Sequence, residues 1–393
     1  MDIRKLAQEI KPYTIARRRW YHSHPELSMH ETETTKSLVR DLGETGIPVE
    51  TFRDGLPGCM GTITGGKGPG RTLMLRADID ALPVTEKTGL PFASENPGAM
   101  HACGHDTHIA MLLGAAKILN TVKDEFRGTV KILFQPAEEF IGGARQVIHQ
   151  GFLEGVDACY GLHTMPAMNT GKINFEYGER MASADGCTIT IEGYGAHGSA
   201  PHLGKDAIVA ASAVILAVQT LVSRLNNPLN PLVVTIGKVD GGRRFNIIAD
   251  KVTMEVTIRC FNKKTREDVK ANIVKIVETV ADGYGCKGTA TFIGGLPAVF
   301  NNDRRIVDIA RAAVVKLYGE TGLSDMEKLM GSEDFAWYLD KIPGVYGILG
   351  AKSDDVPGSD ISLHNECYSP DENALEMGVA VTAQFACDYL NEE

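Results

Sequence analysis

Apolar and polar positions along the first part of the chain predict strands separated by helices. Short apolar runs at 72–75, 130–134 and 158–162 are typical of buried strands. Segment 109–119 is almost entirely apolar and predicts a buried helix, and the pattern at 3–20 predicts an earlier one. Because strands that alternate with helices form mostly parallel sheets, we expect an α/β domain with helices on both faces of its sheet.

The pattern changes near residue 185, where apolar and polar residues begin to alternate with period two. Such alternation is typical of half-exposed antiparallel strands, here accompanied by two helical segments. We therefore expect an inserted α+β domain at 185–295, within a catalytic domain formed by 1–184 and 296–393. The segments concerned are strands at 187–193, 232–237, 252–260 and 289–292, and helices at 206–226 and 265–283.

Composition narrows the classes of function. The chain has 393 residues, with 40 Lys and Arg against 50 Asp and Glu and a net charge of −10, which disfavours nucleic acid and anionic membranes as partners. No run approaches the roughly 18 apolar residues of a membrane span, so we expect no membrane association. Eight scattered cysteines without a CxxC pair predict reduced thiols and a cytoplasmic location.

The densest group of reactive side chains lies at 100–108, just before the apolar segment 109–119. Its sequence, MHACGHDTH, holds one thiol, three imidazoles and one carboxylate. Cysteine and histidine are the ligands that suit zinc and similar transition metals. The segment therefore predicts a metal site.

Acidic and imidazole side chains also follow each predicted strand of the first sheet. Asp78 and Asp80 follow the first strand, Glu138 and Glu139 the second, and His163 the third. Functional groups in open α/β sheets gather at the carboxyl ends of the strands, so we expect these side chains to share one site. A later histidine, in the segment LHNE at 363–366, follows another predicted strand at 344–350.

Together these residues resemble the M20 metallopeptidases, and within them the amidohydrolase branch of hippurate hydrolases and indole-acetyl-amino-acid hydrolases. The similarity covers nearly the whole chain, with matching order and spacing. It is carried by HSHPELS at 22–28, RADIDALP at 76–83, MHACGHD at 100–106, FQPAEE at 134–139, GLH at 161–163, GAHGSAP at 195–201 and GSEDF at 331–335.

The resemblance implies a binuclear site with two divalent metal ions. A thiolate ligand favours zinc and carboxylate ligands also accept manganese, so we expect zinc as the first choice and manganese as the second. It implies that Glu138 is the general base, which would take a proton from water and deliver it to the leaving amine. Glu138 and Glu139 could divide these roles because successive side chains of an extended segment point in opposite directions. The implied metal ligands are Cys103, His105, Glu139, His163 and His364.

Two positions depart from the wider family in the way the amidohydrolase branch does. Arg76 stands where most members have histidine, and Cys103 stands where most have a bridging aspartate. His105 would supply the imidazole lost at position 76. Asp78 would then orient a ligand rather than bind metal.

The inserted domain contributes further residues by the same resemblance. It implies a homodimer or higher homo-oligomer in which His197 reaches a partner's active site and stabilises the tetrahedral oxyanion. It also places Asn246 near the substrate. From its residue type, either Arg243 or Arg244 could hold a substrate carboxylate, although an exposed turn pair is the favoured alternative.

The leading hypothesis is a binuclear metal amidohydrolase that cleaves N-acyl amino acids; a metallo-carboxypeptidase or dipeptidase of the same family is the alternative. A second hypothesis makes Cys103 a nucleophile activated by His101 or His105, as in thiol hydrolases. A third is a dimer that binds metal or ligand without catalysis. The presence of Glu138 argues against the third.

Overall fold

The computed structural model describes residues 2–140 and 142–392. Its helices are α1 (Ile3–Ser23), α2 (Thr32–Glu44), α3 (His105–Thr121), α4 (Gly143–His149), α5 (Ala207–Val218), α6 (Lys263–Gly283), α7 (Arg304–Tyr318), α8 (Ala336–Leu339) and α9 (Ala374–Asn391). Its strands are β1 (Val49–Thr51), β2 (Cys59–Thr64), β3 (Thr72–Asp78), β4 (Thr129–Gln135), β5 (Ala158–Asn169), β6 (Ile173–Asn174), β7 (Gly178–Met181), β8 (Ser183–Glu192), β9 (Leu232–Gly241), β10 (Lys251–Cys260), β11 (Lys287–Leu296), β12 (Val299–Asn301) and β13 (Gly344–Lys352).

The chain folds into two compact units. The first contains the residues up to Gly178, the segment Phe300–Glu327 and the residues from Trp337 onward. The second contains Glu179–Val299 and the short segment Lys328–Ala336. Assignment of the second unit to dimerisation or to a lid stays a prediction.

A mixed sheet forms the centre of the first unit. Within the described residues its strand order is β1-β2-β4-β3-β5-β13-β6, and the four adjacent strands β4, β3, β5 and β13 run parallel. The antiparallel strands β1, β2 and β6 extend it at the edges, and β1 and β2 were not among the predicted strands. The parallel centre confirms the predicted α/β class.

Apolar side chains of helix α3 pack this helix against the sheet of the first unit. Ile109 and Leu113 are buried in the same core as Leu73 and Leu75 of β3 and Phe385 of α9. Burying a large apolar side chain contributes roughly 1.5–3 kcal/mol, so the nearly all-apolar stretch 109–119 anchors the start of α3 beside the sheet. That start carries the cluster at 100–108.

Two local predictions near the cluster need correction. Helix α3 begins at His105, four residues before the predicted apolar segment, because the polar residues at 105–108 continue the same helix. His163 lies inside β5 rather than beyond its end, since that strand continues to Asn169 through its pairing with β13. Its ring still lies at the same sheet edge as the ends of β3 and β4.

The second unit has its own sheet and its own core. Four antiparallel strands are ordered β11-β8-β10-β9 among the described residues, which confirms the predicted antiparallel sheet. Helix α6 packs mainly on β11, and α5 packs on β8, β9 and β10. The buried side chains Ile189, Val214, Met254 and Ile273 belong to one core cluster.

One expectation about apolar runs was wrong. The helical segment Ala207–Leu225 is 19 residues long and has a mean hydropathy of 1.9. It continues α5 through a π-helical turn at Leu221–Leu225. By length and composition it could cross a membrane, although helices that pack on a sheet in a folded domain meet the same test. Only 28% of that stretch is buried.

Candidate active site

A sharp turn at the start of α3 brings Cys103 and His105 to the edge of the first sheet. Gly104 between them has φ 85°, in the left-handed region that favours glycine. A Cβ at this position would meet Oγ1 of Thr164 at 2.9 Å. Glycine therefore allows the turn to lie against β5, and both Cys103 and His105 are buried there.

Backbone carbonyls fix the proton position on His105 and His163. Nδ1 of His105 lies 2.9 Å from the Asp80 carbonyl oxygen, and Nδ1 of His163 lies 2.6 Å from that of Thr164. A carbonyl oxygen only accepts, so each Nδ1 carries a hydrogen, and in the neutral form of each ring Nε2 keeps a free electron pair. Nε2 of His105 has no hydrogen-bond partner in the described part of the chain, and Nε2 of His163 lies 3.5 Å from Sγ of Cys103.

His364 and Glu139 form a second group around the same thiol. Nε2 of His364 lies 3.2 Å from Oε1 of Glu139, an oxygen that makes no hydrogen bond to the residues described. The ligand atoms of Cys103, Glu139 and His364 lie within 4.8 Å of one another, as do those of Cys103, His105 and His163. The two groups share Cys103, which is the arrangement expected of a thiolate between two cations.

Burial sets the protonation of these groups. It raises the pKa of the Cys103 thiol, although His105 opposes the shift, so a thiolate here needs a cation beside it. Burial and the neighbouring His108 hold the pKa of His163 well below its usual range, which keeps that imidazole neutral. Against the effect of burial, Asp78 and Cys103 hold the pKa of His105 well above its usual range, and hydrogen bonds to Cys103 and Glu139 raise the pKa of His364 to about 10. These two imidazoles must release a proton to bind a cation, as metal ligands do, so the donor set of one thiol, three imidazoles and one carboxylate fits divalent ions.

His108 belongs to the same run of residues but has both ring nitrogens occupied. Its Nδ1 lies 2.6 Å from Oδ1 of Asp78, and its Nε2 accepts the Thr164 N–H at 3.0 Å. Asp78 also accepts from Nη1 of Arg76 at 2.6 Å, and its Oδ2 lies 3.8 Å from Nε2 of His105. Asp78 is thus buried beside the ligand group, and its role in orienting a ligand stays a prediction.

Glu138 and Glu139 lie in a turn after β4, not in an extended segment as expected. The backbone N–H groups of both residues donate to the carboxylate of Asp80, at 3.1 Å each. Because the turn curls around one carboxylate, the side-chain oxygens of Glu138 and Glu139 come within 4.8 Å of each other and of a ring nitrogen of His105. Glu138 is buried, whereas Glu139 is partly exposed.

His197, Arg244 and Asn246 all lie in the second unit. The Ser199 N–H donates to Nδ1 of His197 at 3.1 Å, so the neutral ring carries its hydrogen on Nε2 and presents a donor from an exposed loop. Asn246 accepts the Gly198 N–H through its backbone oxygen at 2.9 Å, which holds it next to that loop. Oδ1 of Asn246 is buried without a hydrogen-bond partner among residues 2–140 and 142–392, and Arg244 is exposed.

Comparison with known proteins identifies the family. The model of the peptidase family M20/M25/M40 matches residues 74–388. The chain belongs to the M20 peptidase family. Among M20 relatives, N-acetyl-L-cysteine deacetylase of Bacillus subtilis is 39% identical over 95% of this chain and 89% of its own length. IAA-amino acid hydrolase ILR1-like 2 of Arabidopsis thaliana is 35% identical over 98% of this chain and 87% of its own.

A solved M20 structure extends the likeness to three dimensions. The YXEP protein of Bacillus subtilis, described as a dinuclear metal binding peptidase, has a TM-score of 0.85 and 36% identity, with 98% of this chain and 99% of that chain covered. Together with the two ligand groups that share Cys103, this makes the M20 chain a binuclear metal-dependent amidohydrolase that uses two divalent ions.

Sequence reasoning left several residues of this M20 site without a role. Asp80 was noted only as a strand-end residue, yet it contacts both glutamates and His105. His22, in the HSHPELS motif, is buried against Asp106, whose Oδ2 lies 2.9 Å from Nδ1 of His22 and 2.7 Å from Nε of Arg18. No spacing in the sequence signals these contacts, because they join segments that are far apart along the chain.

Proposed function

We propose that two divalent metal ions would be held by two ligand groups that have Cys103 in common, one completed by His105 and His163 and the other by Glu139 and His364. The observation that carries this proposal is the pair of ligand groups with Cys103 in common. Zinc is the first choice because thiolate and imidazole ligands favour it, and manganese is second because it accepts carboxylates. Metal analysis of the purified protein by mass spectrometry tests both the number and the identity of the ions.

Glu138 is the general base of the proposed reaction. Bound divalent ions polarise the amide carbonyl and lower the pKa of water toward about 7. Glu138 takes the proton of the attacking water and passes it to the leaving amine nitrogen. Its burial beside His105 and Glu139 supports this role, since both lie within reach of its carboxylate. His197 offers an Nε2–H donor suited to the tetrahedral oxyanion.

Replacement of Glu138 by Gln tests the base directly. We expect kcat to fall by about 10³-fold or more, with two metal ions still bound, because the amide cannot accept the proton. Glu139→Gln is the matched control: it changes the adjacent residue in the same way, and we expect it to lose metal first. A Glu138→Gln enzyme with a near wild-type rate would remove Glu138 as the base.

The proposed substrates are N-acyl amino acids, which are cleaved to a carboxylic acid and a free amino acid. The names of the deacetylase and of the IAA-amino acid hydrolase support this choice, since both refer to acylated amino acids. A dipeptidase or carboxypeptidase activity is the second candidate, favoured by the description of the YXEP protein as a peptidase. Initial rates on acetyl-, benzoyl- and indole-acetyl-amino acids and on dipeptides, with zinc or manganese, separate the two.

The proposed assembly is a homodimer formed by the second unit. Three large apolar side chains of α5 face solvent there, with exposed fractions of 51% for Ile208, 47% for Val209 and 73% for Leu216. Strand β9, on which α5 packs, is an edge strand, and on its outer side no other strand of the described residues pairs with it. Such a combination favours pairing with a second copy, which would let His197 act on the partner's site.

We also propose a reducing, cytoplasmic location. All eight cysteines are present as free thiols, and six of them are buried. Buried unpaired thiols are typical of proteins that fold in a reducing compartment. Fractionation of cells that express the tagged chain tests this location.

A further inference from the structure

Three consecutive backbone N–H groups at the glutamate turn all donate to buried carboxyl groups. The Ala137 N–H donates to Oε1 of Glu31 at 2.8 Å. The N–H groups of Glu138 and Glu139 donate to Oδ1 and Oδ2 of Asp80, at 3.1 Å each. Glu31 and Asp80 are 0% and 1% exposed, so these bonds are shielded from water.

The first residue of the turn has an unfavourable backbone conformation. Ala137 has φ 53°, in the left-handed region that costs roughly 1–2 kcal/mol for a residue with a Cβ. Such a conformation persists only where the surroundings impose it. The hydrogen bond to Glu31 is a direct source of that constraint, because the turn begins at the N–H that Glu31 holds.

We propose that Glu31 and Asp80 are positioning residues that hold the turn 137–139 so that the carboxylates of Glu138 and Glu139 meet at His105. The proposal rests on the catalytic and ligand roles proposed above for the two glutamates. Asp80 links the turn to the metal ligands as well, since its backbone oxygen accepts from Nδ1 of His105 at 2.9 Å.

The two buried carboxyl groups have different surroundings. Asp80 accepts the Ser28 hydroxyl at 2.6 Å in addition to the two backbone N–H groups. Glu31 accepts the Ala137 N–H, while its Oε2 makes no hydrogen bond within the described residues. Burial, followed by the nearby Asp80, raises the pKa of Glu31 to about 8. Gln at position 31 would therefore reproduce the protonated side chain, including the oxygen that accepts from Ala137.

Two substitutions of similar size separate hydrogen bonding from packing at position 31. Glu31→Gln keeps an accepting oxygen, and we expect kcat to remain within about threefold of wild type. Glu31→Met keeps the length without an acceptor, and we expect kcat to fall about 10–100-fold in protein reconstituted with two metal ions, as for other residues behind metal ligands. Equal kcat values for the two variants would overturn the role of Glu31.

A second substitution tests the mechanism by rescue. Glycine adopts the left-handed conformation without the cost that alanine has. Ala137→Gly introduced into the Glu31→Met enzyme should raise kcat at least about tenfold, because glycine adopts the left-handed conformation of the turn without a constraint from Glu31. A merely destabilised protein would regain stability without regaining kcat. Absence of rescue in a folded, metal-loaded double variant contradicts the proposal.

Asp80→Asn tests the same turn from its other side and remains informative if the Glu31→Met protein does not fold. The amide turns an N–H donor toward one of the two backbone N–H groups, so we expect kcat to drop about 10–100-fold. An unchanged kcat would overturn the role of Asp80. Glu26→Gln is the matched control, because Glu26 accepts the N–H groups of Glu33 and Thr34 in α2 instead. Its kcat should stay within about twofold, with only the loss of a helix cap.

Failure of this inference can be told apart from failure of the proposed function. The Glu138→Gln variant measures the base itself, with the turn intact. If that variant turns over at the wild-type rate, the role of Glu138 is lost whatever Glu31 and Asp80 do. If it is inactive while Glu31→Met and Asp80→Asn keep the wild-type kcat, only the positioning roles are lost.

Discussion

His163 and His108 show how a hydrogen-bond partner decides what an imidazole can do. Nδ1 of His163 donates to a backbone carbonyl, which leaves Nε2 free beside Cys103. Both nitrogens of His108 are occupied, one by Asp78 and the other by the Thr164 N–H. Both side chains are buried and their rings are close together, yet of the two only His163 has an electron pair to offer a cation.

The same substitution at these two histidines should therefore have different effects. His163→Gln should lower the metal content from two ions per chain toward one, because it removes a nitrogen ligand. His108→Gln should retain two ions at saturating metal, since it alters only a contact behind the ligands. Metal content by mass spectrometry after desalting measures both. Equal losses in the two variants would place His108 among the ligands.

The pKa of Glu31 predicts a dependence of stability on pH. Its folded value of about 8 lies above the usual 4.5, so the folded state keeps a proton that the unfolded chain releases. The associated stability is complete below pH 4.5 and is lost as the pH rises to about 8. Glu31→Gln cannot release that proton. Between pH 4.5 and about 8, the free energy of unfolding of Glu31→Gln should therefore increase relative to that of wild type. Above pH 8 the difference between the two proteins should stay constant. Urea titrations of the metal-loaded proteins measure this difference.

If the difference in unfolding free energy between Glu31→Gln and wild type did not change between pH 4.5 and 8, Glu31 would already be ionised in the folded protein. The same titrations then give the sign of any remaining difference between the two proteins.

At the scale of elements, the connection into α3 matters most for the site. Gly104 caps the helix in a left-handed conformation, and the neighbouring residues Cys103 and His105 both carry ligand atoms. Strand β5 lies against this turn through Thr164, and the same strand supplies His163. The start of one helix and the middle of one strand therefore bring three candidate metal ligands together.

Gly104→Ala should disturb this connection more than a matched change elsewhere. Its Cβ would meet Thr164 Oγ1 at 2.9 Å in addition to the strain of φ 85°. Gly98 has a similar φ of 84° with no heavy atom within 4 Å of a Cβ, so Gly98→Ala tests the strain alone. We expect about 1–2 kcal/mol loss of unfolding free energy for Gly98→Ala, with full metal content. We expect a larger loss and reduced metal content for Gly104→Ala.

Unfolding in urea and metal analysis of both alanine variants provide the comparison. If Gly104→Ala matched Gly98→Ala in stability and metal content, the contact with Thr164 would have no part in shaping the site.

At the scale of the whole molecule, the exposed apolar surface of the second unit is the feature that one copy of the chain leaves unexplained. Helix α5 is apolar on more than its sheet-facing side: Val214 is buried, whereas Ile208 and Leu216 are about half or more exposed. The adjoining strand β9 lies at the sheet edge. A second copy would cover both features, so the proposed dimer accounts for the composition of this helix.

Leu216→Asp should convert the dimer to a monomer, because a carboxylate would be buried in the proposed interface. Ile293→Asp is the matched control. It changes a side chain that is 62% exposed on β11, at the opposite edge of the same sheet, and should leave the dimer intact. Light scattering at micromolar concentration measures the mass of each protein. A monomeric wild-type chain would exclude the dimer and the action of His197 on a partner's site.

The sequence by itself determined the fold class, the family and the segments that carry the site. Alternating apolar runs gave the parallel strands β3, β4 and β5, and ligand-type residues near those strands pointed to metal chemistry. Local information suffices here because period and residue type are properties of short segments. It failed for β1 and β2, which join the sheet through antiparallel pairing on one side of the parallel centre, and for the length of the apolar run at Ala207–Leu225.

Tertiary structure alone decided how the candidate residues are held. The turn at 137–139, the free Nε2 of His105 and the occupied nitrogens of His108 all depend on partners from distant segments. Glu31 and Asp80 reach the turn from positions 106 and 58 residues away along the chain. A buried hydrogen bond depends on which groups the packing brings within about 3 Å, and no spacing along the sequence contains that information.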